Sequence, residues 1–194
     1  MSRPLKILLA AQTYRFLTGS EMYFYVLAKF LKKLNHEVHI TATHMQAGSI
    51  MECKSIEIGV PVYHDFPKFD YDIIYSAHFP TTQKLLATYK DVPLVMSIHS
   101  ELGGPEVPVI DPRVKKYIAI RPSIKEMLIN HFNIPCDDIS LIYNPFDTDR
   151  FNTNYTKQGD PNVLLFVGTI DPLRKNTILD LVDHTKREGK ELWL

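Results

Sequence analysis

The stretch Leu5-Lys-Ile-Leu-Leu-Ala-Ala-Gln-Thr-Tyr-Arg-Phe-Leu-Thr-Gly-Ser-Glu21 decides the fold. From Leu5 to Ala11 it is apolar at every position but Lys6, the pattern of a strand buried on both faces. A loop runs from Gln12 to Ser20. From Glu21 onward, Met22, Tyr23, Val26, Leu27, Phe30, Leu31 and Leu34 recur at helical spacing. Thr18 or Ser20 is placed to cap that helix, and Glu21 complements the positive end of its dipole. Asn35-His36 closes the helix, and Glu37 to Ala42 returns as a second strand.

The cycle then repeats. Asp72 to Ala77, Pro93 to Ile98, Lys116 to Ile120 and Ile139 to Tyr143 read as strands, with helices over Thr81–Tyr89 and Ser123–Phe132. Residues 44 to 70 are less regular, and a short strand near Ser55 to Ile58 is the expectation there. Strands alternating with helices predict an α/β fold, a Rossmann-like parallel sheet with helices on both faces. From Asn144 to Pro161 the chain is rich in Asn, Asp, Pro, Thr and Gly, the composition of a linker. Val163 to Gly168 starts the cycle again, Asn176 to Lys186 is helical, and Glu191 begins a strand. The expected division is a domain over 1–150, a linker over 151–161, and the start of a second domain over 162–194. A lone βαβ unit of about 35 residues cannot bury enough surface to stand alone. Either it docks on the first domain or the chain is cut within its second domain, and the cut is the expectation.

Lys plus Arg total 22 and Asp plus Glu total 22. That balance gives no broad electrostatic hold on nucleic acid or an anionic membrane. No apolar run reaches the length of a transmembrane segment, and the N-terminus lacks the long apolar region of a signal peptide. Cys53 and Cys136 stand far apart, in no metal-like spacing, and read as reduced structural thiols. The expectation is a cytoplasmic protein.

Five segments carry a resemblance to a known family. Thr18-Gly-Ser-Glu21 opens a helix ending in Asn35-His-Glu-Val38, similar to a Gly-Gly-x-Glu loop and a Gly-His-Glu-Val turn into a strand. Asp72-Ile-Ile-Tyr-Ser-Ala-His78 and Pro93-Leu-Val-Met-Ser-Ile-His99 resemble two strands that each end in histidine. Tyr117 to Ser123, followed by Ile142-Tyr-Asn-Pro-Phe-Asp147 and Phe151, forms the fourth segment. Leu165-Phe-Val-Gly168 through Arg174-Lys175 is the fifth. Their order and spacing resemble family 4 retaining glycosyltransferases, built from two Rossmann-like domains in the GT-B architecture. There are departures from the pattern: Thr18 replaces the first glycine of the loop, Pro145 replaces the glycine after Asn144, and Thr169 stands where the family carries an arginine. The family's paired-glutamate donor motif does not occur before Leu194.

The resemblance implies transfer of a sugar from a nucleotide-diphosphate donor to a sugar, lipid or small-molecule acceptor. It implies no cofactor and no obligatory metal, since protein cations and helix dipoles do that work. Gly19 and Ser20, between a buried strand and a helix N-terminus, offer the close backbone approach a phosphate or sugar needs. The plainer reading is that Gly19 only makes the turn. His99 ends a buried strand at its carboxyl edge. By resemblance it is the catalytic-site histidine that contacts the transferred sugar or acceptor, with Ser100 beside it, while His78 is a further substrate-binding candidate. A hydrogen-bonded residue of no special role is the alternative for either histidine. Arg174 and Lys175 lie between a strand and a helix, where an open α/β domain binds ligands, and by resemblance meet the donor diphosphate. A solvated basic helix start is the alternative. Two other functions stay open: a non-catalytic module that binds glycans or a partner, and a nucleotide-sugar epimerase or phosphorylase of the same architecture. The chain alone is expected to be inactive.

Overall fold

In a computed structural model of the protein, residues 3–101, 103–147, 162–168, 170 and 172–193 are described. The expected linker at 151–161 and Thr169 lie outside them. The chain divides into two compact units, Met1–Arg150 and Phe151–Leu194.

Seven parallel strands form the sheet of the first unit: β1 (Lys6–Tyr14), β2 (Glu37–Met45), β3 (Val62–Tyr63), β4 (Ile73–Ala77), β5 (Leu94–Ile98), β6 (Val114–Ala119) and β7 (Ile139–Leu141). Their order is β3-β2-β1-β4-β5-β6-β7, so the direction of winding reverses between β1 and β4. The helices are α1 (Gly19–Lys33), α2 (Ile50–Glu57), α3 (Phe79–Thr88) and α4 (Pro122–Asn130).

β1 shows why the apolar run matters. Ile7, Leu9 and Ala11 point into one core with Phe24 and Ala28 of α1, Ile40 of β2 and Met51 of α2. Leu8 and Ala10, on the opposite pleat, enter a second core with Leu85 of α3, Met96 and Ile98 of β5, and Ile124 and Leu128 of α4. Leu8 and Leu9 are both fully buried. Each stabilises the fold by about 1.5–3 kcal/mol, in separate cores. A charge at either position would open one core and leave the other packed.

Local signals set the element ends. Asn35 adopts a left-handed conformation (φ 64°) after α1. Its N–H donates to the Lys32 carbonyl at 2.9 Å, and the His36 N–H donates to Leu31 at 3.2 Å. That is the paired closure an asparagine tolerates in place of glycine. Pro80 and Pro122 sit in the first turns of α3 and α4, where a missing N–H breaks no helical bond.

The expected strand near Ser55 to Ile58 is not there. Ser55 to Glu57 form the last turn of α2, and the strand lies later, at β3. The cause is a reciprocal cap: Ser49 Oγ accepts from the Glu52 N–H at 3.3 Å, while the Glu52 carboxylate accepts from the Gly48 N–H at 2.7 Å. Met51 and Ser55, one turn apart, are the residues α2 buries.

In the second unit β8 (Val163–Leu165) and β9 (Glu191–Trp193) pair in parallel, joined through α5 (Lys175–Arg187). This is a single right-order βαβ cycle. Among the described residues no helix is long and apolar enough to cross a membrane.

Candidate active site

An open parallel sheet binds ligands beyond the carboxyl ends of its strands, where the winding reverses. Here that place is the end of β1 and β4, with β5 next in line. The residues at those ends are the loop Arg15 to Thr18, His78 and His99.

The β1–α1 loop is held from inside. Glu21, in the first turn of α1, is 1% exposed and turns back toward the loop. Its carboxylate accepts from the N–H groups of Arg15 (2.9 Å) and Phe16 (2.8 Å) and from the Thr18 hydroxyl (3.0 Å). Thr18 therefore occupies the cap position without capping through its side chain. Glu21 does more than complement the dipole: it fixes the loop's shape. Gly19 heads the helix, exposed, with an ordinary negative φ and open space where a Cβ would go. Neither the turn nor packing requires glycine there.

His78 and His99 end neighbouring strands and share one carboxylate. Glu106, in the short 3-10 turn Gly104–Glu106 after β5, is buried. Its Oε1 lies 3.2 Å from His78 Nε2, and its Oε2 accepts the His99 backbone N–H at 2.9 Å. The two imidazoles are tilted against each other with centroids 6.0 Å apart. His99 Nε2 is 2.9 Å from the hydroxyl of Ser97, itself fully buried. The edge of Tyr23, four residues into α1 from Gly19, packs on the His99 ring at 4.6 Å, and the Tyr23 hydroxyl is bonded to that of Tyr75.

Electrostatics follow from this enclosure. Burial pushes His99 down to about 4, against the opposing pull of Glu106 and with a further push from His78, so the ring is neutral at neutral pH. Burial alone would raise Glu106, but the hydrogen bonds from His78 and the His99 N–H outweigh it and hold the carboxyl below its ordinary value. Tyr23 is raised, chiefly by burial.

The structure thus brings His78 and His99 together, with Ser100 following His99 in a half-buried position. Gly19 and Ser20 open α1, the helix whose Tyr23 packs against His99. Arg174 and Lys175 belong to the other unit. Arg174 ends the 3-10 turn Pro172–Arg174, and Lys175 is the first residue of α5; both are exposed, and the first turn of α5 carries no acidic residue. Among the described residues no three His, Cys, Asp or Glu side chains are grouped to hold a metal. Both cysteines are free and exposed.

Glu106, Ser97 and Tyr23 are site residues the sequence reading missed. Tyr23 read as core, and it is core and site wall at once. Glu106 lies seven residues beyond His99 in a Gly-Gly-Pro turn, with no periodic pattern to mark it.

Comparison with known proteins fits this geometry. The family model described as Glycosyltransferase Family 4 matches residues 17–150. A glycosyltransferase from Rickettsia africae ESF-5 has a similar fold, with a TM-score of 0.64 at 15% identity over 97% of this chain and 68% of that one. The glycotransferase of kitacinnamycin gives 0.56 at 10% identity, over 95% of this chain and 64% of that one. The chain thus spans about two thirds of the length of these structures. No curated protein matches it. The fold is the Rossmann-like α/β arrangement of GT-B glycosyltransferases. Since the family model covers more than two thirds of it, the chain belongs to glycosyltransferase family 4.

Proposed function

We propose that the protein is a retaining hexosyl-type transferase that uses a nucleotide-diphosphate sugar as donor and a hydroxyl of a sugar, lipid or small molecule as acceptor. The observation that carries this reading is the His78–Glu106–His99 cluster at the carboxyl ends of β4 and β5, walled by Tyr23 of α1. In the reaction the bond from the anomeric carbon to the diphosphate breaks with its electron pair going to the phosphate oxygen. A bond to the acceptor oxygen forms, and the acceptor proton leaves with the diphosphate. Charge grows on the diphosphate and at the anomeric centre, so the two ends of the donor want different surroundings.

In this reading the first unit meets the sugar end of the donor. A neutral His99 offers a hydrogen-bonding ring to a sugar hydroxyl without placing a second cation near the electron-poor carbon. The open backbone at Gly19 lets the substrate approach the N-terminus of α1. In this reading Ser20, Ser100 and His78 complete the sugar side, and Arg174 and Lys175 meet the diphosphate. None of these roles calls for a resident metal or cofactor.

The test is product analysis on the product of the entire reading frame, offered a panel of nucleotide-diphosphate hexoses and hydroxyl acceptors. The expected products are a free nucleoside diphosphate and a new glycoside whose anomeric configuration matches the donor. An epimerised nucleotide-sugar or a sugar phosphate would assign one of the related reactions instead. Inversion at the anomeric carbon would overturn the retaining mechanism.

A further inference from the structure

His78 is built at a cost. Its backbone has φ 70° and ψ 134°, a region L-residues avoid, and it stands between β4 and α3 without capping the helix through its side chain. Its Nδ1 is enclosed and has no hydrogen-bond partner. A strained backbone and a buried nitrogen without a hydrogen-bond partner both disfavour the fold. Glycine would relieve both. What the imidazole provides in return is its other nitrogen, 3.2 Å from Glu106 Oε1.

Glu106 has two grips. Oε1 holds the His78 ring, and Oε2 holds the backbone N–H of His99. The turn that delivers it passes through Gly104 at φ 73°, a left-handed position that suits glycine. His99 is then fixed by three neighbours: Glu106 on its backbone, Ser97 on its Nε2, and the Tyr23 ring packed against its own. A carboxylate only accepts hydrogen bonds, so the proton facing Glu106 sits on His78 Nε2.

We propose that Glu106 is the positioning residue of this site: by holding His78 as its Nε2–H tautomer and the peptide at His99, it sets the orientation in which His99 meets the sugar. The inference rests on the proposed function for its consequence, and on the geometry alone for the tautomer. Glu106→Gln separates the two. A carboxamide keeps one accepting oxygen for the His99 N–H and presents an NH2 to His78, which can then only accept at Nε2. The hydrogen-bonded frame survives, and the His78 proton moves to Nδ1. Glu106→Ala removes both grips.

The experiment is nitrogen-15 NMR of histidine-labelled protein, assigned with His78 and His99 variants, together with kcat/KM for sugar transfer. Wild type is expected to show His78 protonated at Nε2 with a bare Nδ1, and E106Q the reverse. E106A should lose about tenfold or more in kcat/KM, the effect of about 1.4 kcal/mol or more, and E106Q about threefold. A wild-type His78 protonated at Nδ1, or an unchanged tautomer in E106Q, would overturn the proposal. So would an E106A enzyme with wild-type kcat/KM, or an E106Q loss as large as that of E106A. If E106A does not fold, the wild-type and E106Q spectra still decide. Failure of the wild type to transfer any sugar would sink the proposed function and leave the tautomer result standing.

Discussion

Helices α1 and α5 each open the first helical crossover of their unit, and their first turns are finished in opposite ways. α1 follows β1, and its positive end is answered from within by Glu21, a buried carboxylate with three donors. α5 follows β8, and among the described residues its first turn carries no acid, with Arg174 at the cap position and Lys175 at its head. Each such cation disfavours the helix by about 0.3–1 kcal/mol. A start that is internally neutralised suits an uncharged ligand, and one that is over-positive suits an anion. The contrast rests on charge and burial in each unit separately.

The contrast can be broken first at Glu21. Glu21→Ala leaves the Arg15 and Phe16 N–H groups without an acceptor, and stability should fall by about 2–3 kcal/mol. Chemical denaturation measures it. A loss below about 0.5 kcal/mol, the range of ordinary surface changes, would mean the loop is not held as described.

An intermediate effect belongs to pH. The folded pKa of His99 lies below that of an unfolded histidine, so between about 6.5 and 4 the unfolded chain binds a proton that the folded chain refuses. Stability is full above that window and falls through it, by up to about 1.4 kcal/mol per pH unit for one such group. His39, lowered chiefly by burial, adds in the same direction. Below pH 4.5 the carboxyls of Glu101 and Asp111, each held down to about 2 by hydrogen bonds from Arg121 and Arg113 respectively, extend the decline. Thermal melts from pH 7.5 to 5 should show Tm dropping, and a flat profile would contradict the buried, neutral His99.

The smallest effect is the most specific to the comparison. Lys175→Glu should stabilise the ligand-free protein slightly, by about 0.3–1 kcal/mol, because it corrects the start of α5. The same change should weaken binding of a nucleoside diphosphate about tenfold, read by calorimetry. Stabilisation without loss of binding would return Lys175 to the role of a solvated surface cation.

Much of the fold was legible because its decisive strands are apolar on both pleats. Ile7-Leu-Leu-Ala-Ala11 admits few alternatives once it is followed by an amphipathic helix and a second such strand. Helix α2 was missed although Ser49-Ile-Met-Glu52 carries a cap signature, because the helix buries only Met51 and Ser55 and so has little apolar rhythm. In the site, the histidines were legible as strand-end residues. Glu106 was not, since what makes it important is a buried contact to two different strand ends. Nor could sequence foresee the left-handed backbone at His78, which local propensity disfavours and the surrounding contacts hold in place.

Under the proposed function, sugar is transferred at the strand-end cluster around His99. The most direct measurement is kcat/KM for transfer by the product of the entire reading frame, compared between wild type and His99→Ala. The expected loss is about ten- to a hundredfold, the worth of about 1.4–2.8 kcal/mol of hydrogen bonding, in a variant shown by circular dichroism to keep its fold. An H99A enzyme that transfers sugar at the wild-type rate would contradict it.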